Sequence, residues 1–264
     1  MRIARCEADG RILWGVVESV EGSGGDRLRP ILGDPFGARF TAQDSRPISS
    51  VRILAPAVPS KIFALAHNYR DHLHGAEEPK EPQVFLKVPS SVIGPEDTIV
   101  LPQGPGHGRV DEEGELVVVI GSRCRAVSRA DALRHVLGYT CGNDVSARGW
   151  QKSDLNWWRA KSSDTFSPIG PYIVTDMDPA HAVIAVRING REVQRCRVSD
   201  LIFDIPVLIE WISASVTLEP GDLVFTGTSG APAELQAGDS VEVAIGGIGV
   251  LRNRVSTPPL GSVP

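Results

Sequence analysis

The sequence lacks most of the features that mark specialised proteins, and each absence excludes something. Four cysteines, Cys6, Cys124, Cys141 and Cys196, are scattered with no C-x-x-C pair among them. That spacing indicates neither a zinc site nor a disulfide framework and leaves reduced, mostly buried thiols. No apolar run approaches the roughly 20 residues that span a bilayer. The opening Met1-Arg2-Ile3-Ala4-Arg5-Cys6-Glu7 carries no apolar core of the kind a secretory signal has. A cytoplasmic protein with no membrane partner is expected. Positive charge is not in excess: 27 Lys and Arg stand against 32 Asp and Glu, a net charge of −5, with a pI near 5.7. With no basic run interleaved with aromatics, nucleic acid is not an expected partner. Gly22-Ser23-Gly24-Gly25 fails the G-x-G-x-x-G spacing and no G-K-S/T loop occurs, which argues against a nucleotide. A small molecule is the partner that remains.

What is present is ordinary globular material. The 264 residues are 42% hydrophobic and 22% charged, without repeats or low-complexity tracts, enough to bury a core without staples. Residues 1 to about 55 hold short apolar runs such as Ile12-Leu13-Trp14-Gly15-Val16-Val17, broken at Glu21-Gly22-Ser23-Gly24-Gly25-Asp26 and Asp34-Pro35-Phe36-Gly37. These predict small strands joined by turns. Pro56-Ala57-Val58-Pro59-Ser60 reads as a linker, so a small N-terminal β domain (1–55) and a larger domain (56–264) are expected. Strands are predicted at Lys61–Ala66, Val84–Leu86, Thr98–Leu101, Leu116–Ile120, Tyr172–Val174, Val183–Ile188, Leu223–Phe225 and Val241–Ile245. Asn189-Gly190 predicts a two-residue hairpin, because a type I′ turn needs positive φ at both central positions. One helix is expected from Ser128 through Val136. A second is expected from Ser199 to about Ser213, with Pro206 either kinking it or marking its true first turn. Many strands, few helices and no regular βα alternation predict a β-rich α+β fold.

The segment Val110-Asp111-Glu112-Glu113-Gly114-Glu115-Leu116-Val117-Val118-Val119-Ile120-Gly121 runs a cluster of acids directly into a buried-strand pattern. Residues two apart share a strand face, so Glu113 and Glu115 are expected side by side. Their repulsion and desolvation there call for a cation. Asp144, after the apolar Gly138-Tyr139-Thr140-Cys141, supplies a third carboxylate. Three oxygen ligands suit Mg²⁺, Mn²⁺ or Ca²⁺ rather than zinc. Three carboxylates and one divalent cation leave one negative charge, which Lys161 would neutralise while binding a substrate oxygen.

With Asn68-Tyr69-Arg70-Asp71-His72, Phe85-Leu86-Lys87, the acidic entry at Asp111–Gly121, Gly142–Arg148, Lys161–Pro171 and Gly221–Thr228 in that order, the chain resembles the fumarylacetoacetate hydrolase family over nearly all of residues 61–255. The resemblance implies a β-rich catalytic fold, a mixed-sheet roll around Mg²⁺ or Mn²⁺, in a homodimer that acts on 2-oxo acids, their enols and related diketo acids. It assigns Glu113, Glu115 and Asp144 as metal ligands, which agrees with the charge argument. Lys161 would assist a developing enolate on the metal, and Thr228 would bind the substrate carboxylate. Tyr69, Arg148 and Gln151 are further substrate contacts expected on the same resemblance. His72 would be the general base on a short lid. The sequence departs from the family where a glutamate normally pairs with that histidine, since Gly75 stands there; Glu77, Glu78 or His74 is left to substitute. His67, Gly149 and the loop Ser229-Gly230-Ala231-Pro232 depart as well. Trp157-Trp158 carries no assigned role. The expected activity is C–C hydrolysis, decarboxylation or isomerisation of 2-oxo or 2-hydroxydienoic acids through a metal-bound enolate, as in an acylpyruvase, an oxaloacetate decarboxylase or an isomerase of an unsaturated seven-carbon diacid in aromatic degradation. The alternative is a metal-dependent 2-oxo acid binder without turnover.

Overall fold

The computed structural model describes residues 1–20, 25–37, 45–73 and 75–258. The turn expected at 21–24 and the His74 alternative lie outside them. Among the described residues, twelve strands form one sheet and five another, with few helices, so the β-rich α+β class holds. Each strand predicted from residue 61 onward falls on an observed strand.

The large sheet is organised around Gly114–Ile120, a strand buried at every residue. It pairs antiparallel with Val136–Asn143 on one side and with Leu223–Phe225 on the other. Beyond these, Ser167–Val174 extends one flank, and Ile62–Ala66 then Gln83–Lys87 extend the other. Alternation explains why the central strand is apolar from Leu116 to Ile120: its two faces pack into two different cores. Leu116, Val118 and Ile120 meet Ile184, Val186, Val241 and Val243 of the second sheet, together with Leu208 and Ile212. Val117 and Val119 meet Ile3, Ile62, Ile169, Ile173 and Phe225. The N-terminal strand Arg2–Ala8 continues the same sheet, with Arg2 opposite Val174 and Ile3 opposite Ile173.

The turn chemistry follows the sequence. Asn189 (φ 52°) and Gly190 (φ 79°) join the antiparallel strands Val183–Ile188 and Arg191–Arg197. The Oδ1 of Asp34 accepts the N–H groups of Phe36 and Gly37, each at 2.8 Å, closing the Asp-Pro-Phe-Gly turn. All four cysteines are free and buried. The helices are shorter than expected. Ile205–Ser215 starts at Asp204, whose Oδ1 accepts the Val207 N–H at 3.0 Å, with Pro206 in the first turn. A proline is tolerated there because its missing N–H would have no intrahelical partner, so Ser199 lies outside the helix. From Ser128 the chain makes only a 3₁₀ turn at Ala132–His135, because the Ser128 hydroxyl and the Asp131 carboxylate bond each other and close a local turn. Among the described residues, no helix is long and apolar enough to cross a membrane.

The second sheet packs tightly against the first at Gly114. A Cβ there would stand 2.2 Å from Val186 Cγ2 and 3.2 Å from Gln194 Oε1, both from the second sheet. Replacing Gly114 by Ala is expected to cost about 1–3 kcal/mol through overpacking, read as a lowered urea midpoint with an unchanged m-value.

Candidate active site

The ladder between Gly114–Ile120 and Val136–Asn143 sets Gly114 opposite Asn143 and Glu115 opposite Gly142. One step further the Asp144 N–H donates to the Glu113 carbonyl at 2.9 Å. Strand register thus carries three acids to one place. Oxygens of Glu113, Glu115 and Asp144 lie within 4.8 Å of one another, and all three residues are buried.

Three buried carboxylates at this range need positive charge. Lys161 Nζ stands 2.5 Å from Glu113 Oε2 and 2.6 Å from Asp144 Oδ2. A second buried ammonium, Lys87, stands 2.5 Å from Asp144 Oδ1 and also donates to the main-chain oxygens of Lys161 and Phe166. Arg148 Nη2 holds the remaining oxygen of Glu113 at 2.6 Å, while its Nε reaches Asp111 Oδ2 at 2.6 Å and its Nη1 reaches Gln151 Oε1 at 2.9 Å. Burial works to raise the Glu113 carboxyl, but Lys161 and Arg148 outweigh it and hold the group well below the usual carboxylate range. Glu115 goes the other way. Burial first, then Asp144 and Glu113, push it well above that range, against one hydrogen bond from the Gly227 N–H at 2.7 Å. Among the described residues Glu115 has no ion pair, so the cluster is one cation short. Its donors are all oxygens, which fits a hard divalent ion. With Lys87, Lys161 and Arg148 placed on Glu113 and Asp144, Glu115 is the carboxylate left for a metal ion to neutralise.

A cavity of about 30 Å³ opens on these groups, walled by Glu113, Glu115, Lys161, His72, Gln151 and Thr228. His72 sits on the 3₁₀ turn Arg70–Leu73, with Nε2 4.0 Å from Glu113 Oε1. Its Nδ1 lies 2.7 Å from the Gly230 carbonyl; a carbonyl only accepts, so Nδ1 carries the proton. Burial, the largest influence, pushes the imidazole pKa down. Thr228 reaches the cavity, but its hydroxyl donates to the Gly114 carbonyl at 3.3 Å and accepts from Gln194 Nε2 at 2.7 Å. Two expected substrate contacts are placed differently. Arg148 stands behind Glu113 and braces it, and Tyr69 is buried beside a separate cleft with Asp71, Cys196 and Ser229.

The departures from the family pattern also find their places. Glu78 grips Arg70, at 2.6 and 3.4 Å, and Glu77 is exposed. Gly75 has φ 90° with open space where a Cβ would be. His67 lines the cavity at φ 56°, its Nδ1 2.8 Å from Gln83 Oε1. No side chain fits at Gly149, where a Cβ would stand 2.1 Å from the Gly106 carbonyl. The divergent loop after Thr228 supports the His72 turn: Ser229 Oγ donates to Asp71 Oδ2 at 2.6 Å, beside the Gly230 contact. Lys87, Asp111 and Gln194 were not singled out from the sequence. For Lys87 a signal existed, since the two-residue period puts it on the same side of its strand as Phe85, which lines the cavity.

Residues 61–256 match the family described as fumarylacetoacetate (FAA) hydrolase, C-terminal. The chain belongs to the fumarylacetoacetate hydrolase family. Residues 1–56 match a second family, described as Rv2993c-like, N-terminal. Among solved structures, 5-carboxymethyl-2-hydroxymuconate delta-isomerase from Mycobacterium smegmatis superposes with a TM-score of 0.90 at 41% identity, covering 98% of this chain and 100% of that one. Maleylpyruvate hydrolase from Sphingobium sp. SYK-6, in complex with manganese(II) ion and pyruvate, gives a TM-score of 0.78 at 30% identity, covering 97% and 99%. The mitochondrial oxaloacetate tautomerase FAHD2A of Bos taurus is 40% identical over 224 residues, 79% of this chain and 71% of that protein. Members of this family are thus isomerases, hydrolases and tautomerases.

Removing Lys87 would leave Asp144 buried with only Lys161 against it. Lys87→Met is expected to destabilise the fold by about 3–5 kcal/mol, as for other broken buried ion pairs, measured by equilibrium urea unfolding.

Proposed function

We propose that the protein is a Mg²⁺- or Mn²⁺-dependent enzyme that enolises a 2-oxo acid and relocates a proton within it, a tautomerase or isomerase of 2-oxo and 2-hydroxydienoic acids. The observation that carries this reading is the buried triad of Glu113, Glu115 and Asp144 facing one cavity with His72 on its wall. Bound among the three carboxylates, the metal would supply a Lewis acid that polarises the 2-oxo group.

The chain's own residues supply the rest. Lys161, fixed between Glu113 and Asp144, places a permanent positive charge beside the cavity, where negative charge on a substrate oxygen is stabilised most in a low dielectric. His72 is kept neutral by burial and holds its proton on Nδ1, so Nε2 presents the lone pair that takes a proton from the carbon next to the oxo group and returns it elsewhere. C–C hydrolysis asks for more, namely a water activated by an imidazole with a carboxylate behind it. Here the atom behind the imidazole is the Gly230 carbonyl, and Glu78 is held by Arg70. This favours proton transfer over hydrolysis. Gly75 also favours a second reading, metal-dependent binding of a 2-oxo acid without turnover.

Proton NMR in D₂O of the Mg²⁺-loaded protein with oxaloacetate and acetylpyruvate separates these. The expected result is EDTA-sensitive keto–enol conversion with deuterium entering next to the oxo group, slowed about 10²–10⁴-fold in His72→Ala. Pyruvate with carbon dioxide would instead name a decarboxylase, acetate with pyruvate a hydrolase, and no change in either substrate the binding protein. Glu115→Gln checks the metal separately. In the wild type, Mg²⁺ at a hundredfold excess over its Kd is expected to add about 2.7 kcal/mol of stability. The variant is expected to lose that gain while its metal-free form melts no lower than the wild type, because a neutral amide removes repulsion from the cluster.

A further inference from the structure

A cavity of about 30 Å³ holds only about two water-sized spheres, so a 2-oxo acid bound at the carboxylate cluster must extend out of it. Two surface clefts lie nearby. One, of about 380 Å³, is polar and bounded in part by Tyr69, Arg70, Asp71 and Arg195. Among the described residues it shares no lining residue with the small cavity, and both Arg70 and Arg195 already grip a carboxylate with two nitrogens, Arg70 on Glu78 and Arg195 on Glu192. The other, of about 590 Å³, has Ala66, Phe85 and Trp157 in common with the small cavity. Its outer walls are Leu86 and Val88 on one side and Trp158 on the other, exposed by 58%, 44% and 63%.

Among the described residues no ionisable side chain lines the second cleft; its polar side chains are Gln83, Asn156 and Ser162, and the rest are apolar. Arg159 lies 5.7 Å from the Trp158 ring centroid, and both oxygens of Asp154 hold that guanidinium at 2.8 and 2.6 Å. Lys87, at the end of the same strand as Leu86, is turned into the core onto Asp144. Between cavity and cleft stands an edge-to-face pair, Phe85 and Trp157, with centroids 5.3 Å apart. Trp157 reaches this position through two consecutive left-handed residues, Asn156 (φ 59°) and Trp157 itself (φ 55°). Bulky side chains rarely adopt that conformation, and where they do a functional constraint is commonly found.

We propose that the Phe85–Trp157 boundary and the apolar cleft beyond it form the tail subsite, and that the substrate is a 2-oxo acid whose far end is an uncharged acyl or aryl chain rather than a second carboxylate. This rests on the site reading above and narrows it. A terminal carboxylate in this cleft would lose water and gain no cation. An alkyl or aryl tail would instead cover Leu86, Val88 and Trp158 and lie against the aromatic pair.

The test is isothermal titration of the Mg²⁺-loaded full chain with 2-oxobutanoate, 2-oxohexanoate and 2-oxooctanoate, with the diacid 2-oxooctanedioate, and with oxalate as a probe that has no tail. The expected result is a Kd that tightens about fourfold per added methylene, with the diacid falling well behind the monoacid of equal length. In Leu86→Lys, which sets a cation on the exposed wall, the order of monoacid and diacid is expected to invert. A flat length series, or a wild type that prefers the diacid, overturns the tail subsite; oxalate binding that still requires Mg²⁺ would then leave the metal-site reading standing. Oxalate that does not bind with Mg²⁺ overturns both. A flat series together with a light-scattering mass that falls from two chains to one in Leu86→Lys would assign the cleft to a subunit contact and overturn the proposal.

Discussion

The ammonium of Lys161, shared between Glu113 and Asp144, is the interaction on which the centre of this protein depends. Without it two buried carboxylates would face each other and a third across less than 5 Å, and each unit charge left unpaired in such a place costs several kcal/mol. Lys87 repeats the device from the opposite side of Asp144, and Arg148 from the far side of Glu113. Only Glu115 is left without a cation among the described residues. The imbalance is specific: it sits at one carboxylate, in the position where an ion would touch all three.

The fold makes that arrangement rigid. Glu113 and Glu115 flank Gly114 at the start of a strand packed on both faces, and Asp144 follows the strand paired with it. A shift of the ladder by one residue would move the acids apart and turn the apolar run inside out. Asn143 adds a pin, its Oδ1 accepting the Glu113 N–H at 2.9 Å. The two sheets meet just behind the acids, so the core that stabilises the chain also fixes the site.

Much of this was legible in the sequence, and the limits have physical causes. The strand pattern, the Asn189-Gly190 hairpin and the acidic triad could be read because period, turn chemistry and charge burial are local signals. The helix starts were misplaced because serines at 128 and 199 look like caps, while the cap chosen in one case is Asp204, which only the position of Pro206 singles out. Lys87 stands in a family motif but receives no role from the sequence, because a lysine at a strand end reads as solvated unless its buried partner, 57 residues away, is known. Arg148 and Tyr69 carry family motifs, but motif position does not say whether a side chain faces the cavity or supports one that does.

The contact between His72 Nδ1 and the Gly230 carbonyl has a consequence for how such a site is found and altered. The group that orients the imidazole belongs to the main chain, so no side-chain replacement at position 230 deletes it. An alanine scan of the loop would pass over it, and the loop is free to drift in sequence as long as its path is kept. A main-chain contact of this kind leaves no mark in the order of side chains, and substitution of an amide by an ester in the backbone is the kind of edit that reaches it.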